Sequence, residues 1–182
     1  MEPLELIEKF YPPGSLSLRL LTEHSRLVAG KALETAGKVP HLAPDPDFIF
    51  EASMLHDIAI FLTGAPSIGC HGDKPYICHG YLGREILENA GLPRHALVAE
   101  RHVGVGITAG DIRTHGLPLP ARDMTPRSIE EIIVCFADKF YSKGGKTPAR
   151  EKPVEEVRRS IARYGEDKLA VFDGWLRLFG HF

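Results

Sequence analysis

Two aspartates stand where a carboxylate is costly. Asp57, in LHDIAI, and Asp138, in CFADKF, each have Leu, Ile, Ala, Phe or Val as helical neighbours. An ionised carboxylate taken from water must be paired, protonated or bound to a cation. Taken singly, either aspartate is accounted for by an Arg or a His in the core. Two histidines change the balance. His24 shares a face with Leu20, Leu21, Leu27, Val28 and Lys31, at i, i+3, i+4, i+7 spacing, and His56 directly precedes Asp57 in an apolar run. One shared metal ion accounts for all four residues. Imidazole nitrogen with carboxylate oxygen suits Mn, Fe, Zn, Ni or Co, whereas Mg prefers oxygen alone. A divalent ion with open positions acidifies bound water and polarises a phosphoryl oxygen, so the expected chemistry is hydrolysis.

Helices must position these side chains, because helical periodicity dominates and no alternating strand is evident. After Pro12, Pro13 and Gly14, Ser15 is a good cap for a helix running to about Gly37 with His24 near its middle. A proline-rich loop from Lys38 to Pro46 leads to Asp47, the expected cap of a helix through FIFEASMLHDIAIFLT that would carry His56 and Asp57. Gly64 to Pro75 reads as an irregular connection. A helix from about Gly80 to Ala90 ends at Gly91, and another from Pro93 carries His95 to His102. Thr108 to Asp123 reads as a loop. Thr125 and Pro126 form a cap and first-turn pair for SIEEIIVCFADKFYSK, with Asp138 near its end. Pro153 to Phe179 reads as one or two amphipathic helices packed through Leu169, Phe172, Trp175, Leu176 and Phe179.

At 182 residues, 43% hydrophobic, the chain fits one domain over residues 1–182, with a core of about 15–143 and a helical extension over 150–182. Lys and Arg number 22 against 24 Asp and Glu, so no broad positive field favours DNA, although a local basic pocket would serve a small phosphorylated ligand. No run of apolar residues is long enough to span a membrane, and the acidic start does not resemble a signal peptide, so a cytoplasmic protein with no membrane partner is expected. Three cysteines without a CxxC pair do not suggest a disulfide framework, and Cys135 reads as core. Cys70, His71, Cys78 and His79 are a further conceivable zinc set, but their spacing is unlike common knuckles.

The order His24, His56-Asp57, Asp138 resembles the H…HD…D signature of the HD superfamily of metal-dependent phosphohydrolases, and His56-Asp57-Ile58-Ala59 is similar to its HDIG variant. The stretch from Glu100 to Phe140 also resembles small prokaryotic HDIG proteins. The resemblance implies an all-α HD bundle of about six to eight helices. It also implies that His79 and His102 bind a second metal, as the extra histidines of dinuclear HD proteins do. Asp57 would then be the catalytic residue, bridging two ions or, with one ion, binding it and orienting its water. The alternative for His79 and His102 is a substrate-facing or capping pair beside a single metal. Ala59 replaces the HDIG glycine and the GYP triplet is absent, which speaks against cleavage of cyclic dinucleotides.

Substrate phosphate needs charge-assisted donors. Lys74, Arg84, Arg101, Lys139 and Lys143 lie close to the ligands in sequence, each with a solvated helix face as its alternative. Arg84 and Lys143 rank first, roughly a turn beyond a ligand, whereas Lys139 should point about 100° away from Asp138. His41, His95, His115 and His181 fall outside the ligand order and suit surface or capping roles. The expected function is hydrolysis of a phosphomonoester or phosphoanhydride in a small metabolite, with a nucleotide as first candidate. The alternatives are a diiron oxygenase of the inositol-oxygenase type and a non-catalytic nucleotide-binding module.

Overall fold

The computed structural model describes residues 2–144 and 150–180. Nine α-helices lie among these residues, the expected all-α architecture. They are α1 (Pro3–Glu8), α2 (Leu16–Gly37), α3 (Pro46–Leu55), α4 (His79–Asn89), α5 (Pro93–Arg101), α6 (Ala109–His115), α7 (Ile129–Asp138), α8 (Val154–Ala162) and α9 (Glu166–Leu178). A two-residue antiparallel ladder interrupts the connection after α3: β1 (Gly64–Ala65) pairs with β2 (Cys70–His71), Gly64 opposite His71. No helix among the described residues is long and apolar enough to cross a membrane.

The core forms because α7 is apolar nearly all round. Ile133 to Ala137 are wholly buried, and Phe136 stacks on Phe172 of α9 with ring centroids 5.5 Å apart. Each such aromatic contributes about 1.5–3 kcal/mol by leaving water. On the other side, α2 packs on α3 and α7, while α4 packs on α5. That second contact requires a glycine. A Cβ at Gly80 would lie 2.9 Å from Val103 Cγ2 and 3.0 Å from the Ala99 carbonyl. The C-terminal extension closes as two helices that turn at Gly165, whose φ of 131° favours glycine. Arg158 of α8 binds Asp173 of α9 through two contacts of 2.8 and 2.9 Å.

Three local expectations change. The helix carrying the His56-Asp57 pair stops at Leu55, leaving His56 as its C-terminal cap. His56 Nδ1 lies 2.6 Å from the Ser53 carbonyl, which an uninterrupted helix would offer to the Asp57 N–H. The following turns tighten to i→i+3 bonds, Ile58 N–H to Leu55 and Ile60 N–H to Asp57. The N-caps also shift. Asp45, not Asp47, caps α3 by accepting from Phe48 N–H, and Ser128, not Thr125, caps α7 by accepting from Glu131 N–H. Finally, the supposed loop from Thr108 contains α6, which Thr108 and Asp111 start with a reciprocal capping box.

Candidate metal centre

Asp57 lies at the centre of four histidines. Its side chain is fully buried, with His56 Nε2 2.8 Å and His24 Nε2 3.4 Å from Oδ2, and His79 Nε2 3.3 Å and His102 Nε2 3.4 Å from Oδ1. Asp138 closes the first side, its Oδ1 3.0 Å from His24 Nε2 and 3.5 Å from His56 Nε2. The six residues expected from the sequence therefore meet as two groups sharing Asp57: His24, His56, Asp57 and Asp138, and Asp57, His79 and His102. Within each group the ligand atoms lie within 4.8 Å of one another. Neither group includes Cys70 or Cys78.

Backbone carbonyls fix the ring orientations. His56, His79 and His102 each stand at a helix terminus or a tight turn, and each directs Nδ1 at the carbonyl three residues earlier: Ser53 at 2.6 Å, Tyr76 at 2.5 Å and Ala99 at 2.8 Å. A carbonyl can only accept, so Nδ1 carries the proton and a neutral ring turns a bare Nε2 toward Asp57. This is the outer support that metal-binding histidines use. One consequence is that His79 and His102 bring their Nε2 atoms to 3.1 Å from each other. With both rings neutral, two lone pairs face at that distance. Nor does close approach satisfy the carboxylate, since His56 Nε2 and both oxygens of Asp57 lack a well-directed hydrogen bond. Atoms that converge without pointing at one another fit a cation lying between them.

The proton affinities follow from burial and charge. Burial favours the neutral ring of His56, but the Asp57 and Asp138 carboxylates outweigh it and raise its pKa to about 9. Burial dominates at His79, pushed down to about 3, and also lowers His102. Burial opposes the charge on Asp57 and Asp138, yet His56 and Lys143 around the first, and Lys139 and Lys143 around the second, hold both well below the usual carboxylate range. Without a metal the cluster is thus a compensated set of charges rather than an isolated buried anion.

The five basic candidates separate. Lys143 reaches the centre, with Nζ 2.6 Å from Asp57 Oδ2. Lys139 does as well, despite its expected offset from Asp138. The helix ends at Asp138, and the Lys139 chain folds back to put Nζ 2.8 Å from Asp138 Oδ2 and 3.0 Å from the His102 carbonyl. The other three are corrections. Arg84 is held by Glu88 and by buried Glu100 at 2.8 and 2.7 Å, Arg101 is held by Glu131 at 2.9 Å, and Lys74 pairs with Asp73 at the surface. None of the three lines the cavity beside the centre; Arg84 and Arg101 are taken up by ion pairs between helices, and Lys74 lies at the surface beside Asp73.

Some participants left no readable signal. The Tyr11 hydroxyl is buried, donates to the Ile58 carbonyl at 2.9 Å and accepts from Phe61 N–H at 3.3 Å, clamping the turn after Asp57 across 47 residues of sequence. Lys152, from the segment before α8, lines the cavity together with Tyr76, Tyr141 and Ser142. Among the remaining histidines, His95 is buried rather than at the surface, 3.0 Å from Glu51 and edge-on to Phe48. His115 lines the cavity, and His181 lies outside the described residues.

Comparison with known proteins agrees with this geometry. Residues 21–142 match the HD domain family. An uncharacterised protein of Methanocaldococcus jannaschii is 36% identical over 123 residues, 66% of this chain and 65% of that protein. The tRNA (cytidine(56)-2′-O)-methyltransferase of Picrophilus torridus is 32% identical over 124 residues, 68% of this chain and 32% of that protein. The enzyme of the same name from Thermoplasma volcanium is 30% identical over 151 residues, 82% of this chain and 40% of that protein. The chain thus spans between about a third and two thirds of the length of these relatives. No solved structure matches.

Proposed function

The chain belongs to the HD domain family, and from that premise we propose that it is a metal-dependent phosphohydrolase acting on a small phosphorylated metabolite, with a nucleotide as the first candidate. The observation that carries the proposal is the convergence of four imidazoles on both oxygens of the buried Asp57, with Asp138 beside them. Buried imidazoles and carboxylates gathered in this way are a donor set that suits a divalent transition metal.

In this reading His24, His56, Asp57 and Asp138 hold one ion, and Asp57, His79 and His102 hold a second. Two divalent ions would acidify a water near neutral pH and neutralise charge on the phosphoryl oxygens. The chain's own residues do the rest. Asp57 ties the two halves of the site together. The carbonyls of Ser53, Tyr76 and Ala99 keep three rings in their ligating tautomer. Lys139 and Lys143, held charged by Asp138 and Asp57, lie in the cavity wall to bind phosphoryl oxygens. A module similar to this chain occurs within proteins named as tRNA methyltransferases, which adds support for nucleotide chemistry.

The test is metal analysis of protein purified without chelator, with anaerobic turnover of p-nitrophenyl phosphate and a nucleotide panel. Hydrolysis without O₂, and loss of both metal and turnover in Asp57→Ala, are expected. Normal turnover in that variant, or a metal-loaded protein inert across the panel, sinks the proposal. Iron content with O₂ consumption would point to an oxygenase instead.

A further inference from the structure

The cavity beside the metal centre is larger than one phosphoryl group needs. It encloses about 830 Å³ and extends from His79 and His102 to α8 and α9, where Ser160, Arg163, Tyr164 and Lys168 form its far wall. That wall lies beyond residue 142, where the HD domain match ends. Its charge is also one-sided. The described lining carries Lys139, Lys143, Lys152, Arg163 and Lys168 against Asp111 and Asp138, in a chain whose formal net charge is −2. A cleft lined by one sign of charge concentrates ligands of the other.

These cations are not equivalent. Lys139 and Lys143 are paired with the carboxylates of the centre, and Lys168 lies 2.6 Å from Asp111. Lys152 and Arg163 have no carboxylate within ion-pair distance among the described residues. Half-buried Lys152 donates only to the Lys139 and Tyr141 carbonyls, at 3.3 and 3.1 Å, and burial lowers its pKa. An ammonium drawn into a cavity and given only neutral acceptors remains available to an anion. Next to Arg163 in the chain, Tyr164 lines the cavity and is 77% exposed among the described residues, which leaves its ring open to a ligand.

We propose that Lys152, beside the Lys139 and Tyr141 carbonyls, and Arg163, in the far wall, give the cavity anion-binding positions beyond the metal ligands, and Tyr164 a stacking platform, so that it takes a nucleotide bearing a second phosphate in addition to the one at the metal centre. This inference rests on the reading of the centre as a phosphohydrolase for the placement of the first phosphate, and it assigns substrate selection to the C-terminal helices. Arg163 supplies a planar fork suited to a phosphate, Lys152 a point charge, and Tyr164 a face for a base.

Calorimetric binding to the metal-loaded protein, with non-hydrolysable phosphonate analogues of each ligand, tests the subsite without turnover. Adenosine 3′,5′-bisphosphate should bind at least tenfold more tightly than adenosine 5′-monophosphate. The exposed substitution Arg163→Gln, alone and with Lys152→Gln, should reduce that preference to about twofold or less while leaving monophosphate affinity within twofold. Tyr164→Ser should weaken both nucleotides by a similar factor, about fivefold, and leave inorganic pyrophosphate unchanged. Equal affinity for the two nucleotides, or a preference that survives the double substitution, overturns the proposal. Because the readout is binding, an enzyme that discriminates the two but hydrolyses neither would refute the phosphohydrolase reading and leave the subsite standing. Metal-dependent hydrolysis of p-nitrophenyl phosphate without discrimination would do the reverse.

Discussion

Lys143 places an ammonium against the buried carboxylate of Asp57, and its removal tests the charge balance of the centre. In Lys143→Met the stem length is kept and the charge is lost. Nζ lies 2.6 Å from Asp57 Oδ2, a side chain with no exposed surface. At that distance and an effective dielectric of about 20, the attraction is about 6 kcal/mol before desolvation is subtracted. Removing one partner of a buried pair costs about 3–5 kcal/mol, because the other charge is left uncompensated. At 2–4 °C per kcal/mol for a chain of this size, Tm of chelator-treated protein should fall by roughly 6–20 °C. A divalent cation replaces the lost charge, and without the ammonium as a competitor it should bind the variant more tightly. Metal at one hundred times Kd returns about 2.7 kcal/mol, so the metal-induced rise in Tm should be larger in Lys143→Met than in the parent. Differential scanning calorimetry with chelator and with added Mn or Zn measures both. A chelated variant within about 1 kcal/mol of the parent, or an equal metal-induced rise in the two proteins, refutes this account of the centre.

Other perturbations address the supports around it. Gly80→Ala forces a Cβ against Val103 and the Ala99 carbonyl, so α4 should move off α5, at about 1–3 kcal/mol of stability. Since His79 and His102 sit on those two helices, equilibrium dialysis should show the second metal lost before the first. Tyr11→Phe leaves the Ile58 carbonyl without its hydroxyl donor and should cost about 1–3 kcal/mol in urea unfolding; a neutral result would remove Tyr11 as the clamp of that turn. Asp111 should make docking of the C-terminal helices sensitive to acid. Burial opposes its charge, but Lys168 and the Thr108 cap outweigh it and lower its pKa to about 2. For a depressed carboxylate the stabilisation is complete above the ordinary range near pH 4 and is lost as pH falls toward 2. Trp175, the sole tryptophan, lies buried in α9, so its fluorescence should change across that window in the parent and much less in Asp111→Asn.

The sequence alone determined the helical class and nominated the residues that meet in the cluster around Asp57. Asp57 and Asp138 stand in runs of Leu, Ile, Ala, Phe and Val, where a carboxylate needs a partner, and the 3.6-residue repeat around His24 pointed that ring inward before any packing was known. These signals are local, and so they could be read. Which basic residues serve the site depended on tertiary structure. Arg84 and Lys143 are equally spaced from an expected ligand, yet Glu100, 16 residues away in sequence from Arg84, claims one and Asp57 the other. An ion pair between helices depends on how they dock, which spacing along one helix does not encode. The same holds for the end of the helix before His56. Its apolar pattern continues to Leu62, but the imidazole takes the Ser53 carbonyl and Tyr11 holds the turn beyond it. The reach of the cavity to Arg163 and Tyr164 is also a tertiary fact, set when Phe172 of α9 packs onto Phe136 of α7 and carries the preceding turn across the site.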